Sequence, residues 1–183
     1  EFIEKFPYDR IALEYRVECY LQLGDNKKTI MACEALWDVA EKDCFQDVEE
    51  SIKDISYEIW NHYSECSFNE NKFDKAESIL RDARKYYPTE PSFLYNLSVV
   101  LRAKEKLTEA LSYVEESITI RPQTAESWAL KAQIHFELKN FEDSLDCLLV
   151  AASLDPSLKN DIKEDSMLQE KFVDNDRFKK IIS

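Results

Sequence analysis

Two histidines, His62 and His135, five cysteines and 37 Asp or Glu residues are the groups in this 183-residue chain that could do acid–base, nucleophilic or metal chemistry. None stands in a spacing that would. The histidines are far apart and form no H-E-x-x-H pair, the arrangement that puts two imidazoles on one helix face around zinc. No serine sits in a G-x-S-x-G elbow, and the single glycine, Gly24, leaves no material for a phosphate-cradling loop. Glu49-Glu50 and Glu115-Glu116 are adjacent pairs that point to different sides of a helix, so neither can share a substrate. Asp174-Asn175-Asp176 lacks the alternating oxygen ligands and the glycine of a calcium loop. Cys19, Cys33, Cys44, Cys66 and Cys147 are odd in number and contain no C-x-x-C, which argues against a disulfide framework or a zinc site and favours a reducing, cytoplasmic compartment. Cys33 and Cys147 fall at core places, where free cysteine acts as a small apolar residue. No catalytic residue, cofactor or metal is therefore expected, and binding is what remains.

Charge narrows what could be bound. A formal net charge of −13 and a pI near 4.7 oppose a phosphate-backbone ligand, whose affinity comes from Lys and Arg, and an anionic membrane surface likewise. No run of 18 apolar residues is present to cross a bilayer. The acid excess is spread out: residues 125–156 hold six Asp or Glu against two Lys, a pattern that reads as a solvated convex face. Nucleic acid and membrane insertion are thus set aside, and a protein or peptide is the expected partner.

The elements that must present such a surface are written in a repeat. Pro88, Pro122 and Pro156 lie 34 residues apart. Ahead of them, Trp60, Tyr63-Ser64, Ser67, Ala76, Leu80 and Ala83 align with Leu94, Leu97-Ser98, Leu101, Ala110, Val114 and Ser117. They align again with Trp128, Lys131-Ala132, His135, Ser144, Leu148 and Ala151. Three blocks that agree in length and in residue size mark a helical-hairpin array. The pattern resembles the tetratricopeptide repeat, Trp-x2-Leu-Gly-x2-Tyr, then Ala-x3-Phe, then Pro. That resemblance implies an all-α, right-handed superhelical solenoid of helix-turn-helix repeats. One glycine among 183 residues agrees, because β-turns need residues at positive φ.

A further copy lies upstream, with Leu13, Val17, Tyr20, Leu23-Gly24, Thr29, Cys33 and Leu36. It is displaced by 47 residues from Trp60 rather than by 34. Four repeats are expected, at 10–43, 57–90, 91–124 and 125–156, with hairpins near 11–43, 47–87, 91–121 and 125–155. The insertion at 44–56 is read as an N-terminal extension of the next first helix, from the helical spacing of Val48, Ile52, Ile55, Ile59 and Tyr63. Residues 1–9 look like the tail of a preceding repeat, part of it compatible with a vector remnant at Glu1-Phe2, so a piece of a longer array is expected. Small residues at Ser98, Ala132, Ala76, Ala110 and Ser144 should let paired helices approach, with Trp60, Trp128, Leu80 and Leu148 filling the space between hairpins. After Pro156, residues 157–183 hold two apolar segments with N-caps at Asp165 and at Asp174 or Asp176, read as two capping helices.

In the resembled family the first helix of each repeat lines the binding groove. Carried over by position, this places Glu14, Tyr15, Glu18 and Gln22 there, with His62 and Glu65, then Tyr95, Asn96, Val99 and Arg102, and finally Gln133, Phe136 and Glu137. His135 takes the pattern's Tyr place and is expected to pack. Chaperone-binding members grip an acidic carboxylate with Lys, Asn and Arg on these helices. Asn96 holds one such place, but the others carry Glu14, Glu18, Asn61, Glu65, Glu126 and Leu130, which would repel an acidic tail. A non-catalytic scaffold is therefore expected, taking a segment with apolar anchors and neutral or basic flanks. The alternatives are a regulatory or targeting module of a larger enzyme, or a self-associating array.

Overall fold

A chain poor in glycine closes its turns by other means, and here it does so at the ends of helices. The computed structural model describes residues 9–42 and 55–183; among them are eleven helices and no strand. Eight pair as hairpins: α1 (Arg10–Gln22) with α2 (Asn26–Lys42), α3 (Tyr57–Asn69) with α4 (Phe73–Tyr86), α5 (Pro91–Ala103) with α6 (Leu107–Ile120), and α7 (Ala125–Glu137) with α8 (Phe141–Leu154). Three short helices follow, α9 (Leu158–Glu164), α10 (Ser166–Phe172) and α11 (Asp176–Ile181). The fold is an all-α repeat of helical hairpins. Two compact units divide it between Asn96 and Leu97, and each is described by itself.

Every hairpin turn is the same object. Gly24, Asn71, Glu105 and Lys139 have φ of 67°, 58°, 59° and 64°, the left-handed conformation that ends a helix. Behind each, two N–H groups recover the last carbonyls. Gly24 and Asp25 donate to Leu21 and Tyr20, both at 3.0 Å, and Lys139 and Asn140 donate to Phe136 and His135 at 3.0 and 2.9 Å. Asn71-Lys72 and Glu105-Lys106 repeat the pattern. Glycine takes this conformation freely and asparagine with little cost, whereas Glu105 and Lys139 hold it against a penalty of about 1–2 kcal/mol.

In the first unit, Leu13 and Val17 of α1 and Cys33 and Leu36 of α2 are buried, and α2 packs in turn on α3. An aromatic knot fixes that stacking. Trp37 meets Trp60 edge-on with ring centroids 4.5 Å apart and Tyr63 at 5.4 Å, and Tyr86 lies 5.9 Å from Trp60. Lys75 sits over the Tyr63 ring at 5.3 Å.

In the second unit, small residues let helices touch. The Ser98 hydroxyl donates to the Ala110 carbonyl at 2.9 Å, and Ser144 donates to Ala132 at 2.8 Å. The same two repeat positions are joined twice, with the hydroxyl on opposite helices. The terminal helices close α7 and α8 with Ile162, Leu168, Phe172, Phe178 and Ile181, all buried against Leu145 and Leu148. Phe172 is their hub, 5.8 Å from Phe136, 6.0 Å from Phe141 and 5.8 Å from Phe178. On the outside, Arg177 of α11 bonds Glu142 at 2.9 Å and also Asp146, both on α8.

Several sequence expectations need correcting. The terminal segment holds three helices rather than two, because Leu158–Glu164 forms about two turns before the Asp165 cap. Asp165 caps α10 as expected, but α11 is capped by Asn175, whose carbonyl accepts from the N–H groups of Arg177 and Phe178 at 2.9 and 3.2 Å, and not by Asp174 or Asp176. The insertion does not run unbroken into α3. Ile55 is bent, Ser56 is extended at φ −60° and ψ 149°, and the helix starts at Tyr57. The rest of the insertion, with Cys44, and the tail at 1–8 lie outside the described residues. Asp9 belongs to the first hairpin, since its carboxylate accepts from the Ala12 N–H at 2.9 Å and starts α1. Trp128 is only half buried, its indole N–H reaching the Pro122 carbonyl at 2.8 Å, so it does not fill the inter-hairpin space as Trp60 does. Cys66 joins Cys33 and Cys147 in the core, while Cys19 is exposed.

Candidate interaction surfaces

The candidate residues on the first helices fall into two patches, one in each unit. In the first unit a pocket of about 310 Å³ lies between α1 and the start of α3. Buried Val17 and Ile59, with half-buried Leu21, supply its apolar wall, and Glu14, Glu18, Glu58, Arg10 and His62 supply the polar one. Arg10 Nε donates to Glu14 at 3.2 Å, so those two charges cancel locally. Glu18 is exposed and has no ion-pair partner among the described residues. Burial pushes the Glu58 carboxyl up, but hydrogen bonds from its own N–H and from Tyr57 and Ser56, with the charge of His62, hold it below the ordinary carboxylate range. His62 Nδ1 stands 3.7 Å from Glu65. Tyr15, 61% exposed, and Gln22 stand out from the same helix α1. Glu58 was not singled out from the sequence, although it lies one helical turn before His62, at the i, i+4 spacing that puts both on one face.

Asn96 is not available as a clamp residue. Its amide donates to Asn61 Oδ1 at 2.8 Å, and the Asn61 amide donates to Ser92 Oγ at 2.9 Å, a polar ladder from α3 to α5. Tyr95 beside it is half buried.

The second patch joins three candidates to one another. Arg102 Nε donates to Glu137 and Arg102 Nη1 to Gln133, both at 2.7 Å, which ties α5 to α7. They border a cleft of about 60 Å³ with Phe136, Leu148, Met167 and Leu168. Phe136, expected to line the groove, is half buried, its ring 5.6 Å from Phe141 of α8 and 5.8 Å from Phe172 of α10. Val99 is half buried, and Leu130 is 4% exposed and so is a core residue rather than a surface one. Among the described residues no group of three or more His, Cys, Asp or Glu could hold a metal ion, and no helix is long and apolar enough to cross a membrane.

Comparison with known proteins agrees with this geometry. Residues 69–151 match the family "Anaphase-promoting complex, cyclosome, subunit 3". The BBSome complex member BBS4 homolog of Drosophila melanogaster is 31% identical over 97 residues, which span 53% of this chain and 20% of the relative. BBS4 of Mus musculus is 27% identical over 97 residues, spanning 53% and 19%. The chain therefore spans about a fifth of the length of these curated relatives. Among solved structures, MamA superposes with a TM-score of 0.72 at 13% identity, covering 87% of this chain and 85% of that one. The first TPR of Spaghetti (RPAP3) bound to the HSP90 peptide SRMEEVD superposes at 0.54 and 14% identity, covering 67% and 87%. These matches support the tetratricopeptide-type repeat expected from the sequence.

Within the tetratricopeptide pattern, His135 stands where a Tyr is usual and is buried on α7. Its Nδ1 has no hydrogen-bond partner among the described residues, the nearest carboxylate oxygen being Asp143 Oδ2 at 4.0 Å. Burial lowers its pKa below 6.5. Asp143 and Glu115 pull the other way and Lys131 adds to the lowering. A histidine depressed in the folded state is protonated first in the unfolded chain, so its contribution is intact above about pH 6.5 and is lost as pH falls toward the folded value. The melting temperature is expected to drop between about pH 7 and 5, and less so in His135→Leu. Parallel pH profiles would remove this role for His135.

Proposed function

We propose that this tetratricopeptide array is a non-catalytic protein–protein interaction scaffold whose first-helix surfaces take a segment of a partner protein with apolar anchors and neutral or basic flanks. The observation that carries this reading is the fate of the basic groups. Asn96 is spent on Asn61, Arg102 on Glu137 and Gln133, and Arg10 on Glu14, while Glu18, exposed on α1 with Tyr15, has no ion-pair partner among the described residues. At these two patches an acidic carboxylate tail would meet Glu14, Glu18, Glu58 and Glu137, with Arg10 and Arg102 already bonded to carboxylates. BBS4 is named a member of the BBSome complex, and the RPAP3 repeat carries a bound peptide. Both support a protein partner.

Selection of a displayed random-peptide library on the intact chain tests the proposal. Enriched peptides should bind at micromolar strength and contain aromatic or aliphatic residues with few acids. Binding should weaken about tenfold, or ~1.4 kcal/mol, in Tyr15→Ala or Gln133→Ala, mainly through faster dissociation. Enrichment of acidic C-terminal peptides, or full binding by both variants, would overturn it.

A further inference from the structure

We infer that the pocket between α1 and α3 is a socket for one basic side chain, lysine or arginine, of the bound segment. This rests on the scaffold reading above and names the chemistry of its occupant. A basic side chain has two parts, an aliphatic stem that seeks apolar surface and a charged head that seeks an anion. The pocket is lined by both kinds of group, drawn from each of the two helices. Leu21 and Ile59, over buried Val17, give the stem apolar surface, and Glu18 and Glu58 give the head its anions.

Volume and charge agree on this occupant. About 310 Å³ is room for a long unbranched side chain together with some of its water, whereas the cleft of about 60 Å³ in the second unit is too small for one. Of the three carboxylates, Glu14 is neutralised by Arg10, which leaves two anions. An acidic occupant would be repelled, and an apolar one would strip water from Glu18 and Glu58 without replacing it, a cost that buried charges repay only when paired. A cationic head pairs with both. Glu58 is an anion at neutral pH, as a carboxyl in the ordinary range or below it must be.

Heptapeptides with a single Arg, Lys, citrulline, norleucine or Glu between alanines, titrated into the isotope-labelled 183-residue chain, test the socket by NMR. Citrulline keeps the shape of arginine without its charge. Arg and Lys peptides should shift amides of residues 10–22 and 56–62, with affinity at least about fivefold above citrulline and norleucine and falling as salt is raised. Glu18→Gln with Glu58→Gln should abolish that preference, while Glu164→Gln with Glu170→Gln, the same change of charge on α9 and α10, should leave it intact. The double variant must keep the wild-type fold by its amide spectrum, and each single variant provides a second reading. Equal shifts from norleucine, an unchanged preference in the double variant, or no shift from any peptide would overturn the socket. If library peptides still bind through Tyr15 or Gln133, the scaffold proposal stands without it.

Discussion

Replacing Phe172 with alanine is expected to remove about 3–5 kcal/mol of stability from the second unit, the usual range for a buried aromatic exchanged for a cavity. Three rings, Phe136, Phe141 and Phe178, have their centroids within 6.0 Å of it, so the void cannot close by moving one neighbour. The loss reaches beyond one side chain. Short helices of six and seven residues do not persist alone in water, and α10 and α11 are held by what they bury. In urea denaturation followed by hydrogen exchange, Phe172→Ala should lower the midpoint and strip protection from residues 166–181 ahead of α7 and α8. Met167→Ala, on the same helix but at a side chain 57% exposed, should stay within about 0.5 kcal/mol of wild type. Equal losses would mean that the terminal helices are not sealed by the Phe172 cluster.

The repeat itself was legible because it is set by residue size at fixed intervals. Small residues at 98, 110, 132 and 144 are where paired helices come close enough for a serine hydroxyl of one to reach a backbone carbonyl of the other. The left-handed turn residue was harder to see at three of its four occurrences, since Asn71 has only part of the backbone freedom of Gly24 and Glu105 and Lys139 have none of it; the period of 34 between them gives them away. The extra helix α9 and the Asn175 cap were missed for a related reason. In Asp174-Asn175-Asp176 all three residues make good N-caps, and the choice depends on where Phe178 must point to reach Phe172.

The binding candidates were less legible than the core. Position in a repeat says which side of a helix a residue occupies, but not whether its polar group is already engaged. Arg102 was read as a groove residue and is bonded to two other candidates; Asn96 was read as holding one clamp place and is bonded to Asn61. These pairings cross between repeats, 31 to 35 residues apart, a separation at which no local pattern operates. Glu58 escaped for the opposite reason. Its neighbour across the pocket, Glu18, is 40 residues away on a helix displaced by the irregular spacing of 47.

Trp60 and Trp128 occupy the same repeat position, and the structure predicts that they are not equivalent. Trp60 is 2% exposed and packed between Trp37 and Tyr86, so Trp60→Ala should cost about 3–5 kcal/mol. Trp128 is half buried and covered on one side by Lys131, 5.7 Å above the ring, so Trp128→Ala should cost roughly half as much. Phenylalanine separates packing from hydrogen bonding. The Trp60 indole N–H is buried with no partner among the described residues, a state that costs about 1–3 kcal/mol. Trp60→Phe removes that penalty along with some volume, and should lose far less than Trp60→Ala. Trp128→Phe instead gives up a bond to the Pro122 carbonyl at 2.8 Å, a net loss of about 1 kcal/mol, with less burial to compensate. Thermal melts of the four variants check the ordering: the gap between the alanine and phenylalanine variants should be wide at 60 and narrow at 128. Equal gaps at the two positions would show that the repeat position, and not the surroundings of each ring, sets the contribution.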